Sequence, residues 1–252
     1  MISPKLVSMG AYFNLILVFN IFLLKGVTST TFTFKNNCPF TVWPGTLQGG
    51  SSSPLSQTGF ELGNGATSTP VTAPMGWVGH MWARTGCATD ASGRFSCETG
   101  DCGTGVVSCN GAGGAPPVTL LEFAFQGDGG KDFYDTSLVD GFNLPASISV
   151  KGGSGDCKTS GCPVDINARC PAQLQLKNGG GAVVGCKSAC EAFNTDEYCC
   201  RGAFGTPSTC KPSSFSMIFK NACPDAYSSY AYDDVSSTFT CTGADYLITF
   251  CP

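Results

Sequence analysis

Histidine is almost absent from this 252-residue chain, and charge of either sign is sparse. His80 is the only histidine, and Lys, Arg, Asp and Glu together make up 13% of residues. The formal charge is −4, and no Lys/Arg cluster is present to track a phosphate backbone or grip an anionic bilayer. Nucleic-acid and membrane-surface partners are therefore not expected. A lone histidine makes no Ser/His/Asp triad, and no Gly-x-Ser-x-Gly elbow surrounds a candidate serine. The Gly-rich stretches open cysteine loops rather than helices, so phosphate-cradling loops are not expected either. Internal repeats, charge runs and low-complexity linkers are missing. No Asn-x-Ser/Thr sequon follows residue 29, so N-glycosylation is not expected. With 33 Gly and 15 Pro, long helices have little room.

Only one long apolar run occurs, from Tyr12 to Leu24, interrupted by Asn14 and Asn20. Lys5 precedes it, and Val27-Thr28-Ser29 follows with the short residues that a signal peptidase accepts. Residues 1–29 read as a secretory signal peptide cleaved after Ser29. A transmembrane anchor is not expected, because the run is shorter than the roughly 20 residues a spanning helix needs. Removing Lys5 and Lys25 with the leader takes the formal charge from −4 to −6. Residues 30–252 suit one domain with small lobes.

All sixteen cysteines lie after the leader, in a chain bound for an oxidising compartment. Zinc ligation is the rival reading, since Cys97-x4-Cys102 and Cys186-x3-Cys190 have ligand-like spacings. One histidine and exported, oxidisable thiols argue against it, so no metal and no cofactor are expected. Eight disulfides remain, and about two million pairings of sixteen cysteines are open to spacing alone.

Short β-branched or aromatic runs bounded by Gly, Pro, Asn and Ser predict strands. They are Thr31–Phe34, Phe40–Trp43, Ser147–Val150, Phe215–Phe219 and Tyr246–Phe250. Val183 to Asn194 is expected as a short helix with Cys186 and Cys190 one turn apart. An antiparallel β-sandwich or barrel follows as the fold class. Cysteine density marks two lobes, Cys87 to Cys109 and Cys157 to Cys223.

Gly93-Arg94-Phe95-Ser96-Cys97-Glu98-Thr99-Gly100-Asp101-Cys102, followed by Gly105 and Cys109, matches the thaumatin signature at each defined position. Asn36–Trp43, Asp132–Asp135, Leu138–Asn143, Cys223–Tyr227 and Ser237–Cys241 support it. The chain resembles the plant thaumatin-like proteins, pathogenesis-related family five, over nearly all of residues 30–252. That resemblance implies a mainly β, flattened antiparallel β-sandwich with two disulfide-rich lobes. Its parts would be a core at about 30–84, 115–163 and 224–252, a small lobe at 85–114, and a cysteine-rich lobe at 164–223. The implied pairs are Cys38–Cys251, Cys87–Cys97, Cys102–Cys109, Cys157–Cys241, Cys162–Cys223, Cys170–Cys186, Cys190–Cys199 and Cys200–Cys210. The chain stops directly after Cys251-Pro252, without the extension that sends some relatives to the vacuole. Secretion to the apoplast is the expectation.

The resemblance also implies an acidic cleft, with Glu122, Asp135 and Asp140 at matching positions and either Asp225 or Asp233 as the remaining aspartate. His80 stands where relatives carry a cleft Arg, and a neutral imidazole lacks the fixed charge and planar fork of guanidinium. If His80 faces those carboxylates, their charge raises its pKa and burial opposes the rise. The implied function is a secreted, monomeric defence protein that binds β-1,3-glucan or another fungal wall or membrane component. One alternative is a weak endo-β-1,3-glucanase using Glu122 with Asp135 as its catalytic pair. Another is an inhibitor of microbial hydrolases. Thiol titration of the denatured mature protein should find no free cysteine; two or more thiols would refute the eight-disulfide reading.

Overall fold

A computed structural model describes residues 29–228 and 236–252. Residues 1–28 of the expected leader and Asp233 lie outside the described residues. Alternating apolar residues build most strands. In β1 (Thr30–Asn36) Phe32 and Phe34 turn inward, and in β14 (Phe239–Phe250) Tyr246, Ile248 and Phe250 do the same. Further strands are β2 (Trp43–Gln48), β3 (Val71–Ala73), β4 (Val78–Arg84), β5 (Ala88–Thr89), β6 (Phe95–Ser96), β7 (Leu120–Ala124) and β8 (Asp132–Leu138). They are followed by β9 (Ala146–Ser154), β10 (Ser160–Cys162), β11 (Gln175–Lys177), β12 (Val183–Cys186) and β13 (Tyr227–Ser228).

Strand β14 joins the two layers of one curled sheet. Its first residues, Phe239 to Cys241, pair with β8, and Thr242 to Phe250 pair with β9. One layer therefore runs β10-β9-β14-β1-β3 and the other runs from β8 through β7 and β4 to β2. Most pairs are antiparallel. The exceptions are β1 on β14 and β13 on β8, which are parallel. Between the layers Phe32 meets Phe123 at 4.8 Å, and Tyr246 meets Phe123 at 5.2 Å and Tyr134 at 5.3 Å.

Three segments differ from the sequence expectations. Phe215–Phe219 is helical, inside α2 (Ser214–Ala222), where Ser213 and Ser216 form a reciprocal capping box. Phe215, Ile218 and Phe219 then share one face against a second core containing Leu138, Phe142 and Leu174. A five-residue apolar run fits a period of two as readily as one turn and a half of helix, and the cap decides. Within Val183–Asn194 the first four residues form β12, paired with β11, and helix α1 is confined to Ala189–Phe193. Ser188 caps it by accepting from the Glu191 N–H at 3.2 Å. In the Phe40–Trp43 run only Trp43 lies in a strand; Val42 bridges Leu62, and Phe40 sits on a bend.

The sixteen cysteines are joined as Cys38–Cys251, Cys87–Cys97, Cys102–Cys109 and Cys157–Cys241, then Cys162–Cys223, Cys170–Cys186, Cys190–Cys199 and Cys200–Cys210. Trp82 forms a third, smaller core with Cys102, Cys109, Val118 and Leu120. Its indole N–H donates to the Gly100 carbonyl at 2.8 Å. A Cβ on Gly45 or Gly114 would come within 2.6 or 2.4 Å of that ring, so both positions need glycine. Cys38–Cys251 spans 213 residues and fastens the paired terminal strands β1 and β14. Replacing both cysteines with serine should lower stability by about 2–5 kcal/mol, read as an earlier thermal transition with the β-type circular dichroism of the folded state retained at 20 °C.

Candidate functional site

His80, Glu122 and Asp135 lie directly opposite one another on β4, β7 and β8. His80 pairs in register with Glu122, and Glu122 with Asp135. Such cross-strand neighbours have Cβ atoms about 5 Å apart, so the three side chains form a row across the sheet. The row faces away from the aromatic core, because alternation sends Met81, Leu121, Phe123 and Tyr134 into that core. Each of the three is half-buried.

Asp140 joins them from the turn after β8. Gly141 makes that turn with a φ of 83°, and a Cβ there would stand 2.6 Å from the Cys186 carbonyl, so glycine is required. Phe142 and Cys186 exchange backbone hydrogen bonds at 2.8 and 2.7 Å, which draws the start of α1 towards the sheet. Glu191 on α1 is thereby brought within electrostatic reach of Asp140. Sequence reasoning missed Glu191. Its separation of about fifty residues hides it, and the bridge between Phe142 and Cys186 has no signature in spacing.

These carboxyls are held above the usual carboxylate range. Burial raises Glu122 first and the charge of Asp140 adds to it, while hydrogen bonds from Asp135 and Ser137 oppose the rise. Asp135 is pushed up to about 8 by burial, by the Glu122 charge and by its hydrogen bond to Glu122. Two neighbouring carboxyls raised together favour a state in which one of the pair carries a proton. Asp135 Oδ1 is buried with no partner. Burial also raises Asp140, with His80 opposing, and raises Glu191, with Asp140 adding and Lys187 opposing.

His80 departs from the sequence expectation. Burial lowers its pKa below 6.5 and outweighs the opposing pull of Asp140. The ring, 5.7 Å from that of Trp82, is neutral at neutral pH and does not replace a guanidinium charge. Asp225 is exposed and lies just before β13, which runs beside Ser137 and Leu138 of β8. Among the described residues no hydrogen bond ties its side chain to the row.

The curled sheet, its eight disulfides and the acidic row define a disulfide-stapled β protein with a row of raised carboxyls on one sheet face. The thaumatin family model matches residues 36–252, and the chain belongs to the thaumatin family. It is 60% identical to pathogenesis-related protein 5 of Arabidopsis thaliana, over 94% of this chain and 97% of that protein. Thaumatin-like protein 1 of Pyrus pyrifolia is 58% identical over 90% of this chain and 93% of its own. A glucan endo-1,3-beta-glucosidase of Prunus avium is 57% identical, over 90% and 92%.

The raised carboxyls give a signed pH dependence. Between the unfolded carboxylate range and the folded value near 8, the folded state holds a proton on Asp135 that the unfolded chain has lost. Stability is therefore present in acid and is lost as pH rises towards 8. Asp135→Asn should flatten this slope in thermal melts from pH 4 to 8, and an unchanged slope would show that the pair carries no such proton.

Proposed function

We propose that this protein is a secreted plant defence protein of the apoplast that binds β-1,3-glucan, or a related fungal wall or membrane polymer, through the row of Glu122, Asp135, Asp140 and His80. Family membership, the disulfide content and 60% identity to a pathogenesis-related protein support the defence setting. The observation that supports binding is the register pairing of Glu122 with Asp135, which sets two half-buried, mutually raised carboxyls side by side on one face of the sheet. Two neighbouring carboxyls raised in this way offer a protonated donor and several acceptor oxygens to sugar hydroxyls. Among the described residues no Lys or Arg acts on Glu122, Asp135 or Asp140.

The second reading, a weak endo-β-1,3-glucanase, rests on the named activity of the Prunus avium relative at 57% identity. Laminarin binding by calorimetry at pH 5, run beside reducing-sugar release, separates the two. Binding should saturate without sugar release, and Glu122→Gln should weaken it severalfold with the fold intact. Sugar release by the unmodified protein that vanishes in Glu122→Gln would establish the glucanase instead, because Gln cannot move the catalytic proton.

A further inference from the structure

A cavity of about 660 Å³ lies apart from the acidic row and shares no residue with His80, Glu122, Asp135, Asp140 or Glu191. Several stretches of the chain wall it, among them Phe40 and Trp43 at the entry to β2, Glu98 after the β5–β6 hairpin, Asn143 before β9, and Asp165 and Val183 from the cysteine-rich segment. Its size falls in the range of small-ligand sites, which combine apolar walls with a few placed polar groups.

Two features of the wall restrict its occupant. Phe40 is 46% exposed on a bend, and Trp43 is half-buried with Phe95 packed edge-on at 6.1 Å. Two aromatic side chains are thus left beside the cavity with surface to cover. The wall also contains no Lys or Arg, and its two acidic residues, Glu98 and Asp165, are exposed and make no ion pair among the described residues. Asp165 spends only Oδ1, on the Asn167 N–H at 3.0 Å, and so keeps Oδ2. Asn167 is fixed in turn by donating Nδ2 to the Asn143 carbonyl at 2.8 Å.

We propose that this cavity is a second sugar site, specific for a cationic amino sugar: a short β-linked glucosamine oligomer. The C–H faces of the sugar rings cover Phe40 and Trp43, and an ammonium group near the rings also gains from their negative faces. Glu98 and Asp165 accept from the ammonium groups across the cavity mouth. An anionic sugar is repelled by the same wall, and an N-acetylated sugar forfeits the charge that the two carboxylates select.

The test titrates β-1,4-linked glucosamine trimer into the ¹⁵N-labelled mature protein at pH 5.5 and low salt, with the N-acetylated trimer in parallel. Amide shifts should move at Phe40, Val183 and Val184. Glu98→Gln, Asp165→Asn and Phe40→Ala should each weaken binding roughly two- to fivefold, the range of exposed ion-pair and cation–aromatic contacts. Added salt should weaken it further. Equal affinity for the N-acetylated trimer, shifts confined to β4, β7 and β8, or three variants that bind like the parent would each overturn the proposal. Laminarin added to the same samples reads the acidic row separately, and Phe40→Ala should leave that binding unchanged.

Discussion

Phe123 follows Glu122 on β7, and its packing dictates where the neighbouring carboxyl points. Its ring lies 4.8 Å from Phe32, 5.2 Å from Tyr246 and 6.3 Å from Tyr134, three partners from three other strands. A slip of one residue along β7 would drive Glu122 into those rings and turn Phe123 out to the acidic face. An unpaired carboxyl among aromatic rings costs several kcal/mol, more than any gain from the slipped pairing. The apolar side of the sheet therefore fixes the positions of His80, Glu122 and Asp135 on the other side. No polar contact is needed to set the register, so the row is free to carry unfavourable charge.

The disulfides act on a different part of the problem. The segments around Asp140 and α1 are short, and their own core is too small to hold them by burial alone. Cys170–Cys186 and Cys190–Cys199 anchor β12 and α1, and the Phe142–Cys186 backbone bridge then ties this region to the turn that carries Asp140. On the opposite side Arg84 does similar work without a covalent bond. It is fully buried, donates to the carbonyls of Trp43 and Pro44 at 3.0 and 3.3 Å, and lies 5.4 Å over the Phe95 ring. Burial pushes it down to about 10 with Asp101 opposing, so it keeps its charge. Carbonyl dipoles and an aromatic face thus add to the pull of the Asp101 charge.

The β class was legible wherever one face of a strand is buried. Phe32 and Phe34, or Tyr246, Ile248 and Phe250, announce a period of two because water lies on one side of their strands and core on the other. Phe215–Phe219 misled because five residues cannot separate the periods, and the deciding signal was Ser213 just upstream. Of the site, Glu122, Asp135 and Asp140 could be carried over from family motifs, but nothing in spacing brings Glu191 beside Asp140. The state of His80 was also hidden. Its neighbours on β7 are visible in sequence as charge, whereas the burial that outweighs Asp140 comes from three-dimensional packing.

The titrating groups sort by sign. Asp132, deep in the core, accepts from the Tyr246 hydroxyl at 3.0 Å and from the Gln126 N–H at 3.2 Å, yet burial still raises it. Glu122, Asp135, Asp140 and Glu191 are raised as well. Each of these five carboxyls binds its proton more tightly folded than unfolded, so each favours the fold in acid and loses that contribution as pH rises. His80 has the opposite sign: its lowered pKa means that protonation below 6.5 favours the unfolded chain. Asp90 has that sign too, because hydrogen bonds from Ser92 and the Arg94 N–H lower it and its contribution is lost in acid. Five raised carboxyls still outnumber these two groups. A fold that keeps protons on its acidic groups gains stability as its surroundings acidify, until the unfolded carboxylates are protonated too. In acidic surroundings such a fold can therefore crowd carboxyls into one row on a sheet face that would repel itself at higher pH.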